Sequence, residues 1–397
     1  MRLIFIIITT IFLFLPAVSF AQTKEIISEG AYNMGDGETP TVAESRALLN
    51  AKRIALEQAG TYVESYTKVK NMQVTEDEIK VLASGLMEVT ILDKKRTIVG
   101  DGFRFWVKIK TKVNPDKIEA MANRIKVKDE SFVEDYKKIQ EAYDKSQKEI
   151  EELKRQLAKA KDEKEKKHVV AKITDDEKLF QAKEWFEKGY QYWLNNEHDS
   201  AIEAYTKAIA LDPNHFKAYY NRGFAYDSKG QYDRAIEDYN KAIALNPNLA
   251  KAYNNRGLAY GGKGQYDRAM QDYNKAIALD PNLAGVYSNR GLAYDNKGQY
   301  NRAIEDFNKA IALDPNDAQT YHNRGNSYAH KGHYDKAIED YSKAIALDPN
   351  LARIYTGRGA AYANKGNMNL AISDFQRACD LGDKMGCEYL QRALKYR

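Results

Sequence analysis

The sequence predicts a mainly α chain, in which a small α+β domain and a long helical linker precede a solenoid of helix hairpins. The strongest observation is a 34-residue unit that recurs six times between residues 182 and 385. A fixed period of this length is typical of solenoids, in which each hairpin buries its apolar face against its neighbours. The second observation is an alternation of apolar residues near residue 100, which is typical of strands. We therefore divide the chain into a leader at 1–21 and segments at 22–128, 129–172 and 173–385, with a closing helix at 386–397.

The first 21 residues have the parts of a secretory signal. Arg2 supplies a basic start, residues 3–15 are mostly apolar, and small residues end the segment at Ala21. We expect cleavage after Ala21 and export across the inner membrane into the periplasm. The alternative is an uncleaved anchor, since the stretch 3–20 is almost long enough to span a bilayer.

Residues 22–128 combine helical and strand patterns. Apolar and small residues recur at helical spacing over 42–68, which predicts a long amphipathic helix. Thr75 and Glu78 form a capping-box pattern that opens a second helix. Apolar residues then alternate on both sides of a glycine turn, which predicts a strand pair within 87–113.

The outward face of the second predicted strand is basic and aromatic. It carries Arg104, Trp106, Lys108, Lys110 and Lys112. These side chains suit contact with an anionic surface, such as a lipid headgroup or a cell-wall polymer. The alternative is a solvated strand face on which lysines guard the edge of the sheet.

The order of helix, hinge and strand pair resembles the N-terminal domain of flagellar assembly protein T and related envelope proteins. The residues that carry this resemblance are the helix 47–59, Gly85 with Leu86, and the run 101–107. The resemblance covers about 100 residues and implies an envelope location. It implies no defined chemical activity.

Residues 129–172 are predicted to be a long helix. Between 132 and 160 apolar residues follow a heptad pattern, although Ser146 interrupts the seam. Lys164 and Lys167 occupy the next seam positions, so the pattern ends there. One interpretation is a single helical spacer that holds the flanking domains roughly 60 Å apart. The other is a homo-oligomer formed through 132–160.

Each repeat predicts two amphipathic helices joined by a tight turn. In the copy at 216–249, Gly223 and Tyr226 share one face of the first helix, and Ala235 lies on the packing face of the second. The small residues let the two helices approach closely, while tyrosines fill the space beside them. Gly230 in the turn suits the left-handed end of a helix.

The repeat resembles the tetratricopeptide repeat, because its aromatic, small and proline positions recur together. In the first copy this series reads Trp185, Gly189, Tyr192, Ala201, Tyr205, Ala208 and Pro213. The resemblance implies a right-handed α-solenoid whose first helices line a concave groove for a protein or peptide partner. The six repeats are 182–215, 216–249, 250–283, 284–317, 318–351 and 352–385.

Two cysteines, Cys379 and Cys387, lie where the last repeat meets the closing helix. Their arrangement resembles that of Sel1-like repeats, in which two cysteines separated by seven residues are joined. The resemblance implies a disulfide that fixes the closing helix to the solenoid, in keeping with a secreted protein. The alternative is a pair of half-buried thiols that act as small apolar residues.

The predicted ligand surface is the part of the first helices that packing leaves free. One repeat position carries asparagine in four copies, and a row of amides is suited to gripping an extended peptide backbone. The predicted groove residues are Asn221, Asn255, Asn289, Asn323, Tyr220, Lys217, Lys251, His322 and Arg353. Partner choice is also expected at the aromatic start of the solenoid, which comprises Trp185, Phe186, Tyr190 and Trp193.

An arginine follows the asparagine position, and an aspartate recurs in the second helix of the same copy. We expect internal ion pairs, with ligand binding by the arginines as the alternative. The pairs are Arg222 with Asp238, Arg256 with Asp272, Arg290 with Asp306, Arg324 with Asp340, and Arg358 with Asp374.

Several functions lack support in the sequence. The net charge of +5 is modest for 397 residues, and its lysines and arginines are interspersed with acids, which argues against nucleic-acid binding. The phosphate-loop, zinc-protease and serine-nucleophile motifs are not found, and we expect no cofactor. His322, His330 and His333 form a weak metal pattern, for which solvated turn residues are the preferred interpretation.

We therefore expect a secreted, non-enzymatic adaptor that binds a peptide segment or protein partner in the groove of its repeats. One alternative is a structural, self-oligomerising envelope component, related to flagellar or outer-membrane assembly. A more remote alternative is an enzyme with an unrecognised site in 22–128.

Overall fold

A computed structural model describes residues 23–395, apart from residues 37, 70, 71, 73, 101, 119, 120 and 123–130. The predicted signal sequence lies outside the described residues. Among the helices that the structure describes, none is long and apolar enough to cross a membrane. The chain divides into two compact units, Met1–Asp212 and Pro213–Arg397. This division falls between the first and second repeats, whereas the sequence predicted a boundary at residue 172.

The first unit begins with an antiparallel sheet that is covered on one face by a long helix. The strands are β1 Lys24–Met34, β2 Met87–Val99 and β3 Gly102–Val113, and the helices are α1 Pro40–Val69 and α2 Glu76–Leu86. The order in the sheet is β1-β3-β2. Thr75 and Glu78 form the predicted capping box at the start of α2. The inward residues of β3, such as Val107 and Ile109, are fully buried.

The outward face of β3 is charged, but its lysines have carboxylate partners on β1. Lys108 Nζ lies 3.0 Å from Glu29 Oε1, and Lys110 Nζ lies 3.1 Å from Glu25 Oε1. Lys112 Nζ lies 3.7 Å from the same Glu25 oxygen. These pairs favour a solvated strand face, and contact of this face with an anionic surface stays a prediction.

The linker is not a spacer, which corrects the sequence prediction. Helix α3 Ser131–Lys159 ends, and helix α4 Glu163–Leu194 begins after Asp162, whose side chain accepts a hydrogen bond from Glu165 N at 2.8 Å. The break lets α4 turn back along α3. Because α4 continues into the first repeat, linker and repeat are one element.

The second half of the heptad seam of α3 packs against α4 of the same chain. Ile150, Val169 and Ile173 form a buried cluster, and Leu153 and Leu157 pack against it. This packing covers the described part of the apolar seam, from Ile150 to Leu157, and homo-oligomerisation through 132–160 stays a prediction. The predicted seam residues Phe132, Tyr136, Ile139 and Tyr143 lie outside the residues whose side chains are described.

The first repeat is part of the first unit. It consists of the end of α4 and helix α5 His198–Leu211. Phe186, Tyr190 and Trp193 are 4%, 3% and 5% exposed, so they belong to the core. The expectation that they choose a partner is wrong, because their rings serve the packing of α4.

The second unit repeats one hairpin five times and adds a closing helix. Its helices are α6 Phe216–Ser228, α7 Tyr232–Leu245, α8 Ala250–Gly262, α9 Tyr266–Leu279, α10 Ala284–Asn296, α11 Tyr300–Leu313, α12 Ala318–His330, α13 Tyr334–Leu347, α14 Ala352–Asn364, α15 Met368–Asp380 and α16 Lys384–Lys395. Gly230 has φ +69°, as its place in the turn predicts. A Cβ atom at Gly291 would lie 2.8 Å from the Phe307 ring, which confirms the predicted packing of small residues against aromatic ones.

Cys379 and Cys387 form a candidate disulfide between α15 and α16. Their sulfur atoms lie at bonding distance, and their Cα atoms are 4.6 Å apart. Thr356 Oγ1 also donates to Asp383 at the same junction, so α16 is held by a polar contact as well. The oxidised state stays a prediction.

Replacing Cys387 with serine is expected to destabilise the second unit by about 2 kcal/mol, because the closed loop is short. Denaturing thiol titration of the purified chain should find no free thiol before the change and one after it. Two free thiols in the unchanged protein would contradict the disulfide.

Candidate functional site

The first helices of repeats two to six present one row of polar side chains. Asn289 Nδ2 donates to Asn254 Oδ1 at 3.0 Å, and Asn254 Nδ2 donates to Asn255 Oδ1 at 3.0 Å. Asn255 Nδ2 then donates to Tyr220 Oη at 3.1 Å. Two of the four predicted asparagines, Asn255 and Asn289, therefore belong to one network with Asn254 and Tyr220, which spans three repeats and fixes the orientation of their amides.

The four predicted asparagines are unequally accessible. Asn255 is 8% exposed and uses both ends of its amide inside the protein, which argues against the predicted role of this residue as a ligand group. Asn221 and Asn289 are half-buried, and Asn323 accepts a hydrogen bond from Gln319 at 3.0 Å. Lys217 and Lys251 are half-buried on the same helices.

The row ends at a pocket between the fifth repeat, the sixth repeat and the closing helix. This pocket has a volume of about 480 Å³. The sixth copy carries Gly357 where four other copies carry asparagine, so no side chain fills this place. The pocket is lined by residues that include His322, Asn326, Tyr341, Arg353, Gly357 and Tyr389.

The polar groups of the pocket are held in place. Tyr341 Oη donates to Asn326 Oδ1 at 2.7 Å, and burial raises the pKa of Tyr341. Burial, together with the positive charge of Arg353, lowers the pKa of His322 to about 4. His322 is therefore neutral at pH 7. Arg353 is exposed at the rim and brings positive charge to the mouth of the pocket.

The five predicted arginine and aspartate pairs are all present. In the fourth repeat, Arg290 Nε donates to Asp306 Oδ2 at 2.8 Å and Arg290 Nη2 donates to Asp306 Oδ1 at 2.7 Å. The remaining Nη1 donates to Asn274 Oδ1 of the preceding repeat. The five guanidinium groups thus join the two helices of their own repeats, which confirms the internal interpretation, and those of repeats three to six also bond to the preceding repeat.

The histidines are dispersed among aromatic rings. His330 stacks on Tyr300 with 5.0 Å between ring centres, and His333 lies 6.4 Å from the Tyr328 ring. Within the described part of the chain, no group of three or more His, Cys, Asp or Glu side chains is placed to hold a metal ion.

Asp227 in α6 is a carboxylate that the sequence analysis did not single out. It is half-buried, and burial raises its pKa to about 6. A carboxyl group whose pKa is higher in the folded than in the unfolded state destabilises the folded protein above its folded-state pKa. This loss of stability disappears below the pKa that the same group has in the unfolded chain.

Replacing Asp227 with asparagine is expected to stabilise the second unit by about 1 kcal/mol at pH 7.5, because solvent screens a group that is only half-buried. The gain should vanish at about pH 3 and below, where the carboxyl group is protonated in both states. Urea unfolding followed by circular dichroism at both pH values checks this. An equal gain at about pH 3 and pH 7.5 would contradict it.

Sequence reasoning missed Asn326, Gly357, Tyr389 and Asp227. For three of them a signal existed, since Gly357 replaces asparagine, Asn326 replaces a leucine or phenylalanine, and Asp227 recurs only as Asp295. Tyr389 belongs to the closing helix, outside the repeat, so no comparison between copies points to it.

Comparisons with known proteins agree with this architecture. Models of the tetratricopeptide repeat match residues 216–249, 250–283, 284–317, 307–339 and 352–381, and a model described as TPR repeat matches 189–227 and 325–366. Among curated proteins nothing matches the chain.

Solved structures share the repeat architecture. A chain of the APC/C hetero-tetramer Cut9–Hcn1 has 24% identity and a TM-score of 0.50, over 57% of this chain and 44% of that one. This chain thus spans less than half of its length. MamA has 32% identity and a TM-score of 0.38, over 40% of this chain and 93% of that one. PilF of Pseudomonas aeruginosa has 21% identity and a TM-score of 0.48, over 55% of this chain and 99% of that one.

The matched repeats account for residues 189–381. Helix pairs recur through all of them, and the turn glycines and ion pairs recur in repeats two to six. The chain is a tetratricopeptide repeat protein, built from repeats of the kind that mediates contacts between proteins.

Proposed function

We propose that this chain is a secreted, non-enzymatic adaptor that holds an extended segment of a protein partner along the first helices of repeats two to six. The observation that carries the proposal is the pocket beside Gly357. Its floor includes the core ring of Tyr341, but other lining residues, such as His322, Arg353 and Gly357, differ from copy to copy. If these positions served only the stacking of one repeat on the next, they would carry the same residues in every copy.

The amide row supplies the sequence-independent part of binding. Asn289 and Asn323 each have donors and acceptors beyond the single bond described above, because an amide can make four hydrogen bonds, and Asn221 is half-buried on the same face. An extended backbone offers one donor and one acceptor per residue. The pocket supplies selectivity, because its aromatic walls and the exposed Arg353 suit one side chain better than another.

Location in the periplasm rests on the first 21 residues. Their basic start, apolar run and small residues before position 22 support export and cleavage. Intact-mass measurement of protein isolated from its source should show a chain that begins at Gln22. A mass that includes residues 1–21 would support an anchor instead.

Two variants with opposite chemistry test the groove. Changing Asn221, Asn289 and Asn323 to alanine removes amides, whereas changing Gly357 to asparagine adds the amide of the other copies and fills the pocket. Both variants should recover a partner at least about fivefold less well than the wild type in quantitative pull-downs, since each lost hydrogen bond contributes about 1 kcal/mol.

The control for these variants is Lys309→Ala, which changes an exposed residue on α11, away from the first helices. It should leave recovery unchanged. Equal recovery by the wild type, the alanine variant and the Gly357→Asn variant would overturn the groove proposal.

A further inference from the structure

Asp227 lies at a repeat position that faces the groove. The same position is occupied by Asp295 in the fourth copy and Ala329 in the fifth. Ala329 lines the pocket described above, which shows where this position points. In the second repeat, this groove-facing position is therefore occupied by a carboxylate, Asp227.

Asp227 and Asp295 differ in their hydrogen-bond partners. Ser327 Oγ donates a hydrogen bond to Asp295 Oδ1, and Ser327 is completely buried. The residue that stands in the same relation to Asp227 is Ala259, which has no donor. Asp227 Oδ1 is buried and has no hydrogen-bond partner among the residues that the structure describes. A buried acceptor of this kind costs free energy unless a donor reaches it.

The surroundings of Asp227 leave room and supply no compensating charge. The third copy carries Gly261 at this repeat position, and a Cβ atom there would have Tyr273 Oη, 3.9 Å away, as its only neighbour within 4 Å. The negative charge of Asp227 contributes to the raised pKa of the same Tyr273, after burial and Asp272, so the two groups are close. Burial is the cause of the raised pKa of Asp227, with no contribution from a lysine or arginine.

We propose that Asp227 is a subsite for a cationic side chain, lysine or arginine, of the extended segment that the groove holds. An ammonium or guanidinium group would donate a charge-assisted hydrogen bond to the carboxylate and neutralise it. The open space at Gly261 lets a long side chain approach over the third repeat. This inference rests on the proposed function, since it names the chemistry of one residue of the bound segment.

The probes for this subsite are labelled 12-residue peptides. They are built from serine, glycine, asparagine and tyrosine, and one residue at a time is replaced by lysine, arginine, glutamate or glutamine. Fluorescence anisotropy with the full chain measures their affinity. At one position of the peptide, lysine or arginine should improve affinity about tenfold over glutamine, which corresponds to one charge-assisted hydrogen bond.

The chain offers matched variants. Asp227→Asn removes the charge, and Ala259→Ser supplies the donor that Asp295 already has, so both should abolish the preference and keep the affinity for neutral peptides. Ala259→Ser copies an arrangement that the fourth and fifth repeats contain, so unfolding is not expected to explain its effect. Asp295→Asn should leave the preference intact, because the carboxylate of Asp295 already has Ser327 as its donor. Ser327→Ala should create a preference for lysine or arginine at a second position of the peptide, because it leaves Asp295 without its donor.

The outcomes separate the two proposals. Equal affinity for lysine, arginine and glutamine peptides, or a preference that survives in Asp227→Asn and Ala259→Ser, overturns the subsite. In that case neutral peptides that still bind, and that Gly357→Asn weakens, leave the groove function standing. Failure of every peptide to bind the wild type overturns both proposals.

Discussion

Changing Gly30 to alanine is expected to destabilise the first unit by at least about 3 kcal/mol, because β1 and α1 touch at this residue. A Cβ atom at position 30 would lie 2.2 Å from Ala47 O and 2.3 Å from Ala51 N. These are backbone atoms of α1, which cannot move aside as the end of a side chain can. Ser28 Oγ donates to Ala51 O at 2.9 Å, which holds the helix against the strand.

The measurement is urea unfolding followed by tryptophan fluorescence. The three tryptophans of the chain, Trp106, Trp185 and Trp193, all lie in the first unit, so their signal reports this unit alone. Gly60→Ala is the control, because Gly60 also lies in α1 and a Cβ atom there would meet nothing within 4 Å. It should stabilise the unit by up to about 1 kcal/mol, since alanine has the higher helix propensity. An equal effect of the two changes would contradict the argument.

Features that repeat with the 34-residue period could be predicted from the sequence. The turn glycines, the close approach of Gly291 to Phe307 and the pair of Arg290 with Asp306 each join residues within one hairpin, so the spacing alone brings them together. Six copies of the pattern also distinguish a structural position from a variable one.

Features that depend on a distant partner could not be predicted. The heptad pattern showed that a seam is buried, but Ile150 can be covered equally by a second chain or by Ile173 of the same chain, and the period does not distinguish them. The asparagine positions were predicted from the repeat, but the bonds of Asn255 and Asn289 to the preceding repeat join residues 35 positions apart, as from Asn289 to Asn254, and depend on how neighbouring repeats stack. The pocket needs Tyr389 from outside the repeat.

The folded-back linker makes the first repeat part of the N-terminal domain, and a buried charge network holds it there. Arg46 is completely buried, and its Nη2 donates to Asp176 Oδ2 at 3.1 Å. Its Nε lies 3.8 Å from Glu38 Oε1, and Glu38 is also 2.9 Å from Lys154 Nζ of α3. Glu177 Oε1 accepts a hydrogen bond from the backbone of Thr39 at 2.6 Å. The network thus joins the start of α1 to both linker helices.

Changing Arg46 to alanine is expected to destabilise the first unit by about 3–5 kcal/mol. The change leaves Asp176 buried without its ion-pair partner, whereas Glu38 keeps Lys154, and an uncompensated buried charge costs more than the pair contributes. It also removes the side chain that covers the Phe180 ring at 4.3 Å. Tryptophan fluorescence during urea unfolding measures the loss, and circular dichroism should show the second unit unchanged.

Arg53→Ala is the matched control for Arg46→Ala. Arg53 lies on the same helix and pairs with Asp144 of α3, but its side chain is 32% exposed and that of Asp144 is 55% exposed. Exposed pairs contribute about 1 kcal/mol or less, so this change should have a small effect. Arg46→Met separates charge from packing, because it restores contact with Phe180 and still removes the cation that faces Asp176. If Arg46→Met is as stable as the wild type, the charges do not hold the linker in place and packing alone does.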